Sequence, residues 1–394
     1  RHQPRSRGLG DVYKRQILAP KKDSAETMAS EEKEINGHPS SLMTERAVEE
    51  MRRGRAIQLL DGKRCWLMAA METMESPLLD RLKQVNGGDI RLLVTPQRAT
   101  AAALAEESTD PVSISFPKGI SLEVLRSLAG VGSQVPIKKT TLAVEVPTNA
   151  ASVGAGFRLA KLGRLLPALI SVRSTEVSNS DLVSISVEDI DRYPRSQGSD
   201  LRLTSRARVP LVDTADCEVV LFRQKYGFGE HLAIVIGEPN SGAVVPVRLH
   251  SACLTGDLLG SLRCDCGDQL RRAVSRIASL GGGVLLYLDQ EGRGIGLANK
   301  LRAYALQDAG LDTLDADQHL GFLPDERSYD VAAAMLSELG IKRIRLLTNN
   351  PSKIDALTEH GIKVIGRLPL VVPVNSHNQR YLKAKLDRAG HLAE

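Results

Sequence analysis

Apolar and polar positions fall into blocks along the chain, and the blocks predict two successive regions of strands and helices. From Thr44, apolar residues recur at helical spacing (Ala47, Val48, Met51), and a short strand over Ala56–Leu60 follows. Apolar segments then alternate with turns as far as Tyr193: Ile90–Val94, Thr141–Val146, Leu165–Val172 and Leu182–Val187. The stretch Pro194–Asp200 reads as a linker. Beyond it, strand-like runs at Val209–Val212, Cys217–Phe222, His231–Ile236 and Val244–Leu249 precede a helix over Gln269–Leu280. A buried strand, Val284–Asp289, leads through the turn Glu291–Gly296 into a helix over Leu297–Ala309. The same order returns with helix Tyr329–Leu339, strand Ile341–Leu347, the polar turn Thr348–Lys353 and helix Ile354–His360. Strand followed by helix, twice, predicts an α/β sheet with functional loops at the strand ends. The fold class is therefore α/β in two domains, 44–193 and 201–394, joined by 194–200 and preceded by a disordered leader, 1–43.

Composition supports a globular chain: 394 residues, 42% hydrophobic, 25% charged and 3% aromatic, so the cores must be aliphatic. No apolar run approaches the roughly 18 residues needed to span a bilayer, and no secretory pattern is present. The net charge of +5 suggests nucleic acid only until its location is considered. Arg1, Arg5, Arg7, Lys14 and Arg15 against Asp11 put most of it in residues 1–16. That segment resembles translated sequencing-adapter sequence and is set aside. With it removed, a basic face for nucleic acid is lacking, and stacking aromatics are scarce. The expectation is a cytoplasmic protein with no nucleic-acid or membrane partner.

The candidate chemistry lies in the second region. Cys253, Cys264 and Cys266 are three of five cysteines, within fourteen residues. Three thiolates and an open fourth position suit zinc that does chemistry. On an extended segment, Cys264 and Cys266 at i and i+2 point to one face. Arg263, Asp265 and Asp268 between and beside them argue against a merely apolar cluster. A closed structural site stays open, with His250 or Cys217 as fourth ligand. The Glu291–Gly296 turn opens a helix, and its N–H groups with Arg293 suit phosphate, a weak signal alone. Thr348–Lys353, Asp325-Glu-Arg and Tyr304 read singly as structural.

Together and in order, these strings resemble GTP cyclohydrolase II over about residues 205–380. They are Arg248-Leu-His-Ser-Ala-Cys-Leu-Thr-Gly-Asp, Leu262-Arg-Cys-Asp-Cys-Gly, Gln290-Glu-Gly-Arg-Gly-Ile-Gly-Leu, Asn299-Lys-Leu-Arg-Ala-Tyr, Leu320-Gly-Phe, Asp325-Glu-Arg and Leu346-Leu-Thr-Asn-Asn-Pro-Ser-Lys. The resemblance implies hydrolysis of GTP to a diaminopyrimidine phosphate, formate and pyrophosphate, the first step of riboflavin synthesis. It implies one zinc ion per subunit on Cys253, Cys264 and Cys266, Mg²⁺ with the triphosphate, and a homodimer. Asp325, Arg327 and Tyr304 would be catalytic. Arg248, Leu249, His250, Ser251, Ala252, Gln269, Glu291, Gly292, Arg293, Thr313, Thr348 and Lys353 would contact GTP. The family role of Arg327 is attack on the α-phosphate, yet a guanidinium with pKa above about 12 is a poor nucleophile. A clamp on developing phosphate charge is the alternative. Ala252 departs from the family, which often has Glu there.

The first region resembles 3,4-dihydroxy-2-butanone 4-phosphate synthase more faintly, through Glu45-Arg-Ala-Val-Glu-Glu-Met-Arg-Arg-Gly-Arg and Leu182–Tyr193. That enzyme needs an acidic Mg²⁺ loop after its first strand. Here Asp61 stands beside Lys63 and Arg64, and one carboxylate among cations does not hold Mg²⁺. The family's Gly-His-Thr-Glu string has no counterpart near Ala151–Gly156. The expectation is an α+β domain degenerate as a synthase, in front of a mixed α/β cyclohydrolase domain. The rival expectation is a non-catalytic GTP-binding regulator or scaffold with a closed zinc site.

Overall fold

A computed structural model describes residues 39–372, apart from 86–88, 107–108, 118, 133–134, 136–141, 175–180, 197, 199, 226–228, 241 and 371. Two seven-stranded sheets organise it, one after the other along the chain. The first region runs α1 (Pro39–Arg52), β1 (Ile57–Asp61), β2 (Arg64–Ala70), α2 (Ser76–Gln84), β3 (Ile90–Val94), α3 (Pro96–Ala101), β4 (Val112–Ser115) and α4 (Leu122–Ala129). It continues through β5 (Ala143–Glu145), α5 (Ala150–Leu162), β6 (Ala168–Ser174), β7 (Ser184–Ser186) and α6 (Val187–Ser196). The sheet order is β5-β4-β3-β6-β2-β1-β7, antiparallel throughout except where β7 lies parallel to β1.

The second region runs β8 (Leu201–Arg208), β9 (Cys217–Gln224), β10 (Glu230–Ile236), β11 (Val245–Ser251), α7 (Cys266–Ser279), β12 (Gly283–Leu288), α8 (Leu297–Asp308) and α9 (Thr313–His319). It ends with α10 (Asp330–Glu338), β13 (Arg343–Leu347), α11 (Ser352–Glu359) and β14 (Lys363–Leu368). Its order is β14-β13-β11-β12-β10-β9-β8. The four strands β14, β13, β11 and β12 are parallel; β10, β9 and β8 attach antiparallel. Strand β12 is central, and its pleat sends alternate residues to opposite faces. Val284, Leu286 and Leu288 join Ala332, Met335 and Leu336 of α10 in one core. Leu285 joins Ala273, Val274 and Ile277 of α7 in the other. Truncating Leu286, which is fully buried, to Ala costs about 2–5 kcal/mol. A smaller core links the two regions: Leu166 packs with Ile295, Ala303, Ala316, Leu320 and Phe322.

Four expectations need correction. Residues 39–43 are helical, because Pro39 at the first position suits a helix start; residues 1–38 of the expected leader lie outside the described residues. The expected linker 194–200 is helical to Ser196, as α6 continues through Pro194. Val209–Val212 is no strand: Pro210 lacks an N–H for the ladder, the run holds one isolated bridge from Leu211 to Thr214, and Val212 is fully exposed. The strand lies earlier, at Leu201–Arg208, and is mostly polar and exposed, as an edge strand is. Finally, Cys264 and Cys266 are not on an extended segment. Cys264 directly follows a turn at 262–263, and Cys266 is the first residue of α7.

Candidate active site

The parallel strands place their carboxyl ends on one edge of the sheet, where open α/β sheets bind ligands. Past β11 the chain enters Cys253 and a single π-helical turn, Leu254–Leu258. Past β12 it enters the tight turn Glu291–Gly294, and past β13 the segment Thr348–Lys353.

The three cysteine sulfurs lie within 4.8 Å of one another, and Cys253 Sγ is 3.7 Å from Cys264 Sγ. Different geometry from the expected strand brings them together: helix α7 starts at Cys266 and folds back over Gly256. A Cβ on Gly256 would lie 2.8 Å from Cys264 Sγ and 3.0 Å from Cys253 Sγ, and one on Gly267 would lie 2.3 Å from the Gly256 carbonyl. Only glycine permits that approach. Hydrogen bonds from the Cys264 and Cys266 thiols, reinforced by Lys300, hold Cys253 far below the ordinary thiol range. The same contacts raise Cys264 and Cys266. Three converging sulfurs fit a borderline-soft divalent ion such as zinc.

Neither suggested fourth ligand belongs to this cluster among the described residues. His250 Nε2 is 3.1 Å from Asp257 Oδ1, and its ring stacks on Tyr287. Cys217 Sγ donates to the Val209 carbonyl at 2.7 Å. Asp257 is the organiser here: besides His250 it accepts from the Cys253 N–H and the Tyr287 hydroxyl, both at 2.9 Å.

Lys300 went unnoticed as a functional residue in the sequence. Its Nζ donates to Cys253 Sγ at 3.0 Å and to Glu291 Oε1 at 2.8 Å. Burial alone would lower the ammonium, but the Glu291 and Cys253 bonds hold it above its ordinary value. Glu291 in turn accepts from the Leu254 and Gly292 N–H groups. One lysine thus ties the cysteine turn to the glycine turn. The only advance signal was its place in the string Asn299-Lys-Leu-Arg-Ala-Tyr.

Tyr304, one helical turn beyond Lys300, has its ring 5.8 Å from the Lys300 ammonium and 5.2 Å from the Arg263 guanidinium. Burial pushes its hydroxyl up to about 12, so it enters neutral chemistry as a proton donor. Asp325 and Arg327 form a fork: Nε to Oδ1 at 2.8 Å and Nη2 to Oδ2 at 2.5 Å. Burial would raise the Asp325 carboxyl, but the Arg327 bonds outweigh it and hold it low. Arg327 Nη1 also reaches Ser251 Oγ at 3.5 Å, which brings this loop to the end of β11.

The expected GTP contacts divide by environment. Arg248 is buried, which lowers its guanidinium to about 10; it donates to the Leu347 carbonyl at 2.8 Å and to Gln269. Lys353 is buried and donates to the Leu249 carbonyl at 3.0 Å. Thr348 accepts from the Asn350 N–H at 3.0 Å, and Glu291 is buried as described. Ser251, Ala252, Gln269, Gly292 and Arg293 are half-exposed on the same edge. Gly292 and Arg293 both adopt left-handed φ, +62° and +60°, which turns the Arg293 side chain toward the Pro324 carbonyl. Thr313 begins α9.

A model of the GTP cyclohydrolase II family matches residues 202–369. The GTP cyclohydrolase-2 of Azospirillum brasilense is 43% identical over 365 residues, covering 88% of this chain and 93% of the relative. The chain belongs to the GTP cyclohydrolase II family. The family's enzyme from Xylella fastidiosa (strain 9a5c) is 39% identical over 90% of this chain and 88% of its own. The GTP cyclohydrolase-2 of Hahella chejuensis is 56% identical over 163 residues, covering 41% of this chain and 79% of its own. Among solved structures, a two-domain 3,4-dihydroxy-2-butanone 4-phosphate synthase from A. baumannii covers 84% of this chain and 99% of its own, at 17% identity and a TM-score of 0.32. That likeness is too low to carry a conclusion. As a member of the GTP cyclohydrolase II family, the chain is an enzyme.

Proposed function

We propose that this protein is a zinc-dependent GTP cyclohydrolase II of riboflavin biosynthesis. It converts GTP to 2,5-diamino-6-(5-phospho-D-ribosylamino)pyrimidin-4(3H)-one, formate and pyrophosphate. The observation that carries the reading is the three-cysteine cluster without a fourth protein ligand among the described residues, set at the carboxyl ends of parallel strands beside Tyr304 and Arg327. Cys253, Cys264 and Cys266 would hold zinc, and the chemistry the ion would supply there is Lewis-acid activation of a water near neutral pH.

The chain's own residues do the rest. Lys300 holds Cys253 as thiolate and fixes the Glu291 turn. Tyr304, protonated at neutral pH, donates a hydrogen bond or a proton at the opening ring. Arg327, oriented by Asp325, would face the phosphates. Its permanent charge makes it a clamp on developing phosphate charge rather than a nucleophile. Arg293, Arg248, Thr348 and Lys353, with Leu249, His250, Ser251, Ala252, Gln269, Glu291, Gly292 and Thr313, form the rest of the substrate edge. Mg²⁺ accompanies the triphosphate.

The N-terminal region is inactive as a synthase. Asp61, the one carboxylate of its first strand, accepts from Ser152 Oγ at 2.8 Å, and Ala151–Gly156 lies inside helix α5. A homodimer is supported by exposed Leu258, Leu259 and Leu262 beside the cysteines, an apolar patch that a second copy would cover. No helix among the described residues is long and apolar enough to cross a membrane, in keeping with work in the cytoplasm.

The test is incubation of zinc-loaded protein with GTP and Mg²⁺. Formate and pyrophosphate are expected in equal amounts. GTP binding without either product would favour the scaffold reading instead.

A further inference from the structure

Two loops carry the candidate chemistry, and both lean on one short stretch of the N-terminal region. The first loop holds Asp325, Glu326 and Arg327. Lys161, near the end of α5, donates to Glu326 Oε1 at 2.6 Å. That oxygen also accepts the Leu323 N–H at 2.8 Å, so it closes the loop on itself. The Glu326 N–H donates to the Arg293 carbonyl at 3.1 Å. Gly294 packs so closely that a Cβ there would lie 3.0 Å from the Glu326 carbonyl. Glu326 therefore sets the position of its neighbours Asp325 and Arg327 against the glycine turn.

The second loop begins at Asp289, directly after β12. Arg164 Nη2 meets Asp289 Oδ2 at 2.6 Å, while the Asp289 N–H donates to buried His231 Nδ1 at 3.1 Å. Asn299 Nδ2 donates to the Arg164 carbonyl at 2.9 Å, and a Cβ on Gly296 would lie 2.9 Å from Arg164 Cβ. Arg164 itself holds a left-handed φ of +56°, strained for a residue with a side chain. Gln290, next in line, donates to the Ser328 carbonyl and so ties the second loop to the first. A cavity of about 430 Å³ at this seam is lined by Lys161, Arg164, Asp289, Glu326 and Arg327 together.

We infer that Lys161 and Arg164 are positioning residues for the cyclohydrolase site, so that the N-terminal region, silent as a synthase, completes the geometry of the catalytic loops. The inference rests on the cyclohydrolase reading. Ion pairs this close to the surface contribute little to stability. Loop placement is far more sensitive, since a shift of about 1 Å can lower a rate about a hundredfold. Variants should therefore lose kcat well before they lose fold. Arg158 supplies an internal control: it lies on the same helix, but its partner is Asp191, within the N-terminal region.

The experiment uses the full, zinc-loaded chain with GTP and Mg²⁺. Lys161→Glu and Arg164→Ala should each lower kcat by about tenfold or more, with KM changed by less than about threefold and zinc content intact. Lys161→Arg, which keeps the ion pair and leaves Glu326 to accept the Leu323 N–H, should retain most of the activity. Arg158→Ala should turn over like the parent. Hydrogen exchange needs no turnover, and in Lys161→Glu it should quicken at residues 323–328. Unchanged kcat, a loss proportional to unfolding, or a Lys161→Arg chain as slow as Lys161→Glu would each overturn the inference. A parent chain that releases no formate would instead overturn the cyclohydrolase reading, and exchange at 323–328 would still decide whether the contact orders the loop.

Discussion

The two regions use sheets of equal strand number and differ in strand direction, and that difference decides where chemistry can reside. The N-terminal sheet is antiparallel at every junction but one, so neighbouring strands, β1 and β7 excepted, end on opposite edges. The C-terminal sheet has four parallel strands, and three successive strand ends deliver the cysteine turn, the glycine turn and Thr348–Lys353 to one edge. Buried charge follows the same division. Arg248, Asp265, Glu291, Lys300, Asp317 and Lys353 are buried in the second region. In the first, Arg98 is the one buried charged side chain among the described residues. It donates to three carbonyls, of Leu128, Ser127 and, across the seam, His319. Thr95 does likewise: it caps α3 through the Arg98 N–H and donates to the Gly321 carbonyl at 2.9 Å. A buried charge is costly unless paired, so each one marks a structural or chemical demand. In the first region that demand is docking, and in the second it is a site.

The sharpest way to break this contrast is to change one residue in each region. Cys264→Ser should abolish both zinc retention and formate release, read by metal analysis and product assay. Asp61→Asn should leave both at parental levels. Loss of cyclohydrolase activity in the Asp61 variant would relocate part of the chemistry to the first sheet.

Next in size is Arg327→Ala. Removing a preorganised charge from the phosphate edge should lower kcat by about 10²–10³-fold while zinc stays bound. A comparable loss of zinc would mean that Arg327 supports the metal site instead.

A matched pair of glycines sharpens the comparison further. Gly256→Ala would drive a methyl group to 2.8 Å from Cys264 Sγ, and the expected outcome is weakened zinc binding with a modest change in thermal midpoint. Gly156→Ala in α5 would drive one to 2.6 Å from Leu169 Cδ1 and 2.9 Å from Met68 Sδ. There the expected outcome is a stability loss of about 1–3 kcal/mol from overpacking, with zinc affinity unchanged. Denaturant titration and a zinc-chelator competition distinguish the two.

The smallest effect lies at the seam. Asp317 sits in α9, which packs on α3. Burial pushes its carboxyl up to about 7, so the folded chain keeps a proton that the unfolded chain releases. The stability this group permits is therefore present in acid and is lost as pH rises from the ordinary carboxylate range toward about 7. Asp317→Asn should flatten that slope and raise the thermal midpoint at neutral pH; an unchanged slope would refute the assignment.

What could be read in advance also differed between the regions. Strand β12 and its turn were legible because a strand covered on both faces is an unbroken apolar run that ends in glycines. The convergence of Cys253, Cys264 and Cys266 was legible from spacing and flanking charge, although the extended geometry expected for Cys264 and Cys266 is replaced by a loop and a helix start. Helix α5 was not foreseen: Val153, Ala155, Phe157, Leu159 and Ala160 are all buried, which erases the polar stripe that marks a helix. Val209–Val212 looked like a strand because its composition hides the missing N–H of Pro210. Lys300 and Asp257 carry no local signal of their role, since each acts through tertiary contacts, Lys300 across 47 residues to Cys253.

Under the proposed function, opening of the imidazole ring of GTP requires zinc on the three cysteines of the second region. The direct measurement is formate release from GTP by the full chain, with zinc bound and after chelation. One formate and one pyrophosphate per GTP are expected, lost on chelation and restored by added zinc. Formate release that survives complete removal of zinc, or a zinc-loaded chain that binds GTP and releases none, would contradict it.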